Sequence, residues 1–232
     1  MNRPIVTTFL VCTSLLSAGA LMAGIATTKH NLSVTGPGEV KASEESEICI
    51  FCHTPHEASP QAPLWNRRDS GQTYIPYSSS TAQASPGQPT GASVLCLSCH
   101  DGTIALGEVL SRDTPIRMAG GVITMPQGRT NLGTDLSDDH PISFHYTDDL
   151  VQRNPELIPP AALAGPVKLD RTGQLQCTTC HDPHKNENGK FLVLSPVGGQ
   201  LCNACHLKNL QESAHGTSAQ TWNGIGPDPW PD

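Results

Sequence analysis

Residues 49–56 are Cys49-Ile50-Phe51-Cys52-His53-Thr54-Pro55-His56. Two cysteines three positions apart are followed at once by a histidine, which is the attachment signature of c-type haem. Side chains at positions i and i+3 share one face of a helical turn, so both sulfurs can form thioether bonds with the vinyl groups along one haem edge. The imidazole of the next residue then binds the iron from one side, since iron accepts imidazole well.

This C-x-x-C-H pattern occurs four times and uses every cysteine except Cys12. Each copy supplies two attachment cysteines and one proximal histidine. The attachment residues are Cys49, Cys52 and His53; Cys96, Cys99 and His100; Cys177, Cys180 and His181; and Cys202, Cys205 and His206. The sequence therefore predicts four covalently attached c-type haems.

Two other uses of C-x-x-C compete with haem attachment. Paired C-x-x-C motifs hold zinc, and the interval from Cys177 to Cys202 is close to a zinc-ribbon spacing. A single C-x-x-C can also be a redox dithiol. Neither kind of site requires a histidine directly after each second cysteine, so haem attachment explains more of the pattern.

The remaining histidines are candidates for the second ligand of each iron. They are His30, His56, His140, His145, His184 and His215. The chain reads as two copies of one unit, each with an upstream histidine, a C-x-x-C-H-x-P-H site, and a plain C-x-x-C-H site preceded by leucine. This duplication assigns His30, His56, His140 and His184 as distal ligands. His145 has no counterpart in the first copy and is predicted to be structural or solvent-facing, and His215 is an alternative to His30.

His56 and His184 are predicted to bind irons other than those of His53 and His181. Only three residues lead from His53 to His56, so the tether spans at most about 10 Å. The path around the porphyrin edge to the far face is longer than that. The intervening proline stops the helix and stiffens the link, so each H-x-P-H segment is predicted to hold two haems close together.

Other residue types near these histidines offer further roles. Asp138 or Asp139 could accept a hydrogen bond from the His140 ring and orient it. Met118 and Met125 could ligate iron, but with six more histidines available they are predicted to be apolar filler.

The composition is unfavourable for an ordinary apolar core. The chain has 20 Pro, 21 Gly and 4% aromatic residues, and Pro removes backbone donors while Gly loses much entropy on folding. We therefore expect a multihaem cytochrome c fold that is mostly irregular, with short helices at the C-x-x-C-H sites and the haem stack as the core. The expected tetrahaem domain covers residues 27–232, with pseudo-repeats at about 27–110 and 135–215.

Two segments outside the cysteine pairs carry helical signals. Gln200 to Ser213 contains no Gly or Pro and is predicted to be a helix, and Asp149 to Arg153 is predicted to form a turn. The segments 57–92, 113–135 and 154–168 are rich in Pro, Gly or Ser and are predicted to be loops.

Residues 1–26 are predicted to be a secretory signal peptide. Arg3 precedes an uncharged run that ends in small residues, and cleavage is expected after Ala20 or Ala26. The alternative is an uncleaved membrane anchor. Export to an oxidising compartment agrees with haem attachment, and Cys12 is expected to leave with the signal.

Several ordered segments resemble tetrahaem cytochromes of the OmcE type. They are the stretch from His30 through C-I-F-C-H-T-P-H to Ala62-Pro63-Leu64-Trp65-Asn66-Arg67, the stretch Gly133-Thr134-Asp135-Leu136-Ser137-Asp138-Asp139-His140-Pro141-Ile142-Ser143, the segment C-T-T-C-H-D-P-H, and the closing Leu201-Cys202 site. Proteins of that family polymerise into extracellular filaments that conduct electrons along stacked haems. The resemblance implies two histidines on every iron, a continuous haem chain and one ligand from the adjacent subunit.

The leading hypothesis is an exported electron carrier without enzymatic activity, extracellular or at the outer-membrane surface, that forms a homopolymer and serves other redox proteins or extracellular acceptors. The alternatives are a monomeric periplasmic shuttle, a membrane-anchored quinol-oxidising protein and a nitrite-reductase-type multihaem enzyme. Such an enzyme needs an iron with an open position, and no C-x-x-C-K occurs. The net charge of −7 and the lack of a basic stripe argue against nucleic acid as a partner.

A ligand that crosses a subunit boundary is expected near a chain end, where the backbone is free to reach a neighbour. His30 lies just past the expected cleavage region and fits best. His215 is the reserve candidate.

Overall fold

The computed structural model describes residues 23–60, 62–163 and 165–207, and most of this chain is irregular. The α-helices are α1 (Ala23–Ala26), α2 (Gly91–His100), α3 (Asp148–Arg153), α4 (Cys177–Cys180) and α5 (Gln200–Asn203), and single 3₁₀ turns cover Cys49–Phe51, Ala119–Gly121, Pro160–Ala162 and Val197–Gly199. The strands β1 (Phe144–His145) and β2 (Gln174–Leu175) pair antiparallel, with Phe144 opposite Leu175. None of the helices in these ranges is long and apolar enough to cross a membrane.

A helical turn lies at each of the four cysteine pairs, as predicted. The first pair begins the 3₁₀ turn Cys49–Phe51, and the other three lie in or at the ends of α2, α4 and α5. The turn extends to the histidine, because the His53 N–H donates to the carbonyl of Cys49 at 2.8 Å. This geometry brings the two sulfurs and the imidazole of one site to the same end of a short turn.

The predicted turn at Asp149 to Arg153 is the helix α3. The Thr147 hydroxyl accepts a hydrogen bond from the Leu150 N–H at 3.2 Å and so caps the first turn. Asp148 and Asp149 at the start and Arg153 at the end complement the helix dipole.

The helix predicted from Gln200 to Ser213 is shorter in the structure, and α5 ends at Asn203. Beyond it the backbone pairs with another segment instead of continuing the helix, since His206 lies antiparallel to Leu157. The predicted helix residues 208–213, His215 and most of the predicted signal peptide lie outside the described residues.

Buried apolar side chains form three separate small clusters. The first consists of Ala42, Ile50, Phe51, Leu106 and Met118, the second of Phe144, Tyr146, Leu150, Leu157 and Leu175, and the third of Tyr74, Leu97 and Leu136. Two of them include residues between paired cysteines, so burial of those residues holds the attachment turns in place. Met118 is buried in the first cluster and Met125 packs against it, which agrees with their predicted role as apolar filler.

Gln176 joins the two attachment helices α2 and α4. Its side chain is fully buried and caps α4. Its Oε1 accepts hydrogen bonds from the hydroxyls of Ser93 at 2.6 Å and Ser143 at 3.0 Å, and its Nε2 donates to Asp170 at 2.9 Å. Because Ser93 lies in α2, this network fixes the second attachment site against the third.

We expect Gln176→Met to destabilise the folded protein. The change leaves the hydroxyls of Ser93 and Ser143 buried without their acceptor, and each such loss costs about 1–3 kcal/mol. Denaturant unfolding of the holoprotein measures the effect. Gln152→Met, at an exposed position of α3, is the matched control and should leave the unfolding midpoint unchanged. Equal midpoints for the two variants would contradict the role given to Gln176.

Candidate haem-binding site

The first H-x-P-H segment belongs to a closed loop. His53 lies antiparallel to Trp65, and the Asn66 N–H donates to the carbonyl of Cys52 at 2.9 Å. Leu64, which precedes this bridge, has a φ of 64°. Such a left-handed backbone is uncommon for a residue other than glycine, so it is a distinctive mark of this loop.

The second H-x-P-H segment repeats that loop. His181 lies antiparallel to Leu192, and the Val193 N–H donates to the carbonyl of Cys180 at 2.9 Å. Phe191 precedes the bridge and has a φ of 59°. The two loops therefore share pairing and backbone conformation, which is what a duplicated unit predicts.

Four of the predicted iron ligands hold the ring nitrogen Nδ1 close to a backbone carbonyl. The pairs are His30 with Pro183 (3.1 Å), His100 with Thr130 (2.7 Å), His140 with Pro141 (2.9 Å) and His181 with Lys190 (2.9 Å). A carbonyl can only accept, so Nδ1 carries a proton, and in the neutral ring Nε2 carries none. An unprotonated Nε2 is the form that binds a metal, and the second hydrogen bond fixes the ring orientation. For His140 the acceptor is this carbonyl rather than the predicted aspartate.

Burial disfavours the protonated form of three predicted iron ligands. It lowers the pKa of His30, His53 and His206 below the ordinary histidine value. At His30 the Pro183 carbonyl opposes this effect in part. Iron ligation needs the neutral ring, so the environment favours the required protonation state.

Two pairs of imidazoles are spaced for one iron between them. A metal–imidazole bond is about 2 Å long and the ring centre lies roughly 1 Å behind the nitrogen, so two ligands of one metal have centroids about 6 Å apart. The centroids of His53 and His184 are 6.0 Å apart, and those of His30 and His100 are 6.1 Å apart. His184 therefore lies opposite a proximal histidine other than its neighbour His181, as the tether argument requires.

The position of His30 departs from the expectation that it crosses a subunit boundary. Its ring faces His100 of the same chain and stacks on Phe191 with a centroid distance of 4.0 Å and an interplanar angle of 16°. Phe191 was not among the predicted site residues, because a single phenylalanine in a loop carries no haem signature. This stacking and the Pro183 contact hold His30 within its own subunit.

At the fourth attachment site, His140 is the histidine neighbour of His206. Burial is the main cause that lowers the pKa of His206, and the charge of a protonated His140 lowers it further, while Glu156 opposes both. The two rings thus lie close enough to interact electrostatically, as the assignment of His140 to a distal position needs.

His56 and His145 differ from the other histidines. His56 is exposed, and within residues 23–60, 62–163 and 165–207 its ring has no aromatic partner. His145 is also exposed, and its Nε2 lies 3.2 Å from Nε2 of Gln174, so the nitrogen that would bind iron already has a partner. His56 is therefore a free ligand candidate on the surface of the described chain, whereas His145 fits its predicted structural role.

The attachment cysteines follow one another through space in chain order. The thiol of Cys177 interacts with that of Cys96, and this interaction is the main cause that lowers the pKa of Cys177. Cys52 lies near Cys99, and Cys180 lies near Cys205, close enough for each pair to interact electrostatically. Burial is the largest cause that raises the pKa of Cys52 to about 12 and of Cys180 to about 11.

The zinc alternative receives no support from the arrangement of donors. In the part of the chain that the structure describes, no group of three or more His, Cys, Asp or Glu side chains is placed to hold a metal ion. The eight cysteines there are free thiols. Paired thiols on one turn, a histidine next to them and a second imidazole about 6 Å away fit haem c instead.

Residues 170–211 match the protein family described as a doubled CXXCH motif. This range contains the third and fourth attachment sites. No curated protein matches the chain. The motif and its geometry point to a multihaem c-type cytochrome with covalently bound haem and a role in electron transfer.

We expect His30→Ala to leave one iron of the holoprotein five-coordinate and high-spin. The substitution removes the imidazole that faces His100, and alanine cannot replace it. Electron paramagnetic resonance and the visible charge-transfer band report the change. His145→Ala is the control and should keep the wild-type spectrum. A high-spin iron in the control, or none in His30→Ala, would contradict the assignment.

Proposed function

We propose that the protein is an electron carrier with four c-type haems, each iron held between two histidines, and that it has no substrate-converting activity. The observation that carries the proposal is the pairing of imidazoles at about 6 Å with Nδ1 bound to a carbonyl. Bound haem iron takes up and releases one electron at a time. Histidines on both faces leave no position for a substrate, which weighs against the reductase alternative.

We assign three distal ligands, two from ring spacing and one from electrostatic proximity. His184 serves the site of His53, His30 serves that of His100, and His140 serves that of His206. Among the described residues no ring is recorded at about 6 Å from His181, since His30, which also interacts with it electrostatically, is assigned to His100, and His56 is exposed. We infer that His181 and His56 belong together but in different subunits.

The duplicated loops support this inference. His184 of the second unit reaches the first site of the first unit, where it faces His53. We apply the same contact between subunits. The first unit of the next subunit then packs on the second unit of this subunit, as this second unit packs on its own first unit. His56 of the next subunit then takes the place of His184 and faces His181. Such a head-to-tail contact is heterologous and extends into a filament.

The order of the cysteines supports a continuous path for electrons. Cys52 interacts electrostatically with Cys99, Cys96 interacts with Cys177, and Cys180 interacts with Cys205. Each attachment site thus lies beside the next one in the sequence. Electrons would enter at one end site and leave at the other, toward the adjacent subunit or a further redox partner.

We expect His56→Ala to prevent filament growth, with electron microscopy of the purified holoprotein as the measurement. The variant subunit cannot donate a ligand, so the iron of His181 should also show a high-spin signal. The variant subunit can still accept His56 from a wild-type subunit, but its own His56 is missing, so the filament cannot grow beyond it. Mixtures of variant and wild-type subunits should therefore contain shortened filaments. The control His145→Ala should polymerise normally.

Full-length filaments of His56→Ala would show that this ligand is not needed. A wild-type holoprotein that stays monomeric would favour the periplasmic shuttle instead.

Export is proposed together with a cleavage site after Ala20 rather than Ala26. A Cβ at Gly24 would lie 2.6 Å from the carbonyl oxygen of His184, so the backbone there is tightly packed. The carbonyl of Ala26 accepts a hydrogen bond from Nδ2 of the fully buried Asn31 at 2.8 Å. Removal of residues 21–26 would break both contacts.

The intact mass of the purified protein tests export and haem number together. We expect the mass of the chain beginning at Leu21 plus four haems, and no reaction with thiol reagents. A chain beginning at Thr27 would contradict the proposed cleavage site. Retention of residues 1–20 would favour the membrane-anchored alternative, and zinc or disulfides at the third and fourth sites would end the tetrahaem proposal.

A further inference from the structure

Arg67 is a permanent positive charge in the interior of the first unit. Its side chain is 1% exposed. Nη1 donates to the carbonyls of Leu106 and Glu108 at 2.9 and 3.0 Å, and Nη2 donates to those of Ser98 and Ala105 at 3.2 and 3.0 Å. Nε has no hydrogen-bond partner. None of the ion pairs of the described residues includes Arg67, so the groups bonded directly to this charge are neutral carbonyls.

This charge lies between the first two attachment sites. The N–H of its neighbour Asn66 donates to the carbonyl of Cys52, and Ser98, which accepts from Nη2, lies between Cys96 and Cys99. The guanidinium is therefore held close to the backbone of both attachment turns.

The second unit lacks this charge. In the two matching loops Asn66 donates to Cys52 as Val193 donates to Cys180, so the position of Arg67 corresponds to that of Leu194. The duplicated backbone therefore carries a buried cation in one unit and an apolar side chain in the other.

We propose that Arg67 raises the reduction potentials of the haems at the first two attachment sites above those of the second unit. Reduction lowers the charge at the iron by one, so a fixed positive charge nearby favours the reduced form. The inference rests on the proposed tetrahaem electron carrier. The effect is larger at the Cys49–His53 site, because the buried Asp101 directly follows His100 and opposes Arg67 at the second site.

The test is a redox titration of the holoprotein in which nuclear magnetic resonance of the haem methyl groups resolves each haem. In the wild type the haem of His53 should be reduced first. Arg67→Met should lower its reduction equilibrium constant about tenfold, which is about 59 mV for one electron. The second site should shift less, and the sites of His181 and His206 should stay unchanged. Arg67→Lys keeps the charge and should restore most of the wild-type potential.

Two further variants separate charge from packing. Arg68→Met removes an exposed cation that pairs with Glu108, and solvent screening predicts no shift for it. Leu194→Lys adds a cation at the matching position and should raise the potential of the His181 site, which keeps the test decisive even if Arg67→Met fails to fold.

Uniform shifts at all haems, an equal effect of Arg67→Lys and Arg67→Met, or no response to Leu194→Lys would overturn the role of Arg67. These outcomes leave the haem count and the low-spin spectrum intact. A mass showing fewer than four haems would instead overturn the tetrahaem proposal itself.

Discussion

An imidazole binds iron only through a nitrogen that carries no proton, and much of the irregular backbone serves that requirement. Four of the predicted ligands have a carbonyl at Nδ1, and none of these carbonyls belongs to a helix or a strand. His181 obtains it from Lys190 in its own loop, and His100 obtains it from Thr130. His30 obtains it from Pro183, far along the chain. The loops between attachment sites therefore position the carbonyl groups that accept from these rings.

The parts of the site that depend on covalent haem attachment could be predicted from the sequence. The attachment residues, the short helices and the scarcity of regular structure depend on residue type and spacing, and the reach of His184 beyond its own iron follows from a tether length. The pairing of His30 with His100 could not be read, because it depends on the stack with Phe191 and the carbonyl of Pro183. Long-range contacts of this kind leave no local pattern. The early end of α5 has the same origin, since the antiparallel contact with Leu157 comes from a distant segment.

The two H-x-P-H loops share a backbone conformation but differ in what surrounds them. The closed loops agree in their bridges and in the left-handed residue before each bridge. The residues between the cysteines are apolar in the first site, where Ile50 and Phe51 are buried, whereas in the third site Thr179 is buried beside the polar Gln176. One scaffold therefore offers its cofactors two environments, one held by apolar contacts and one by hydrogen bonds. Two sites of equal geometry need not be equal in energy.

The division of the apolar contacts into three clusters has a consequence for biogenesis. Each cluster is small, and cooperative folding needs many buried contacts that depend on one another. Before its cofactors are added, the chain can thus open locally at little cost in free energy and is exposed to proteases. Each covalent addition consolidates only the region around its own turn. The steady-state amount of the protein in a cell should then follow the supply of haem and the capacity of the attachment machinery rather than the rate of translation.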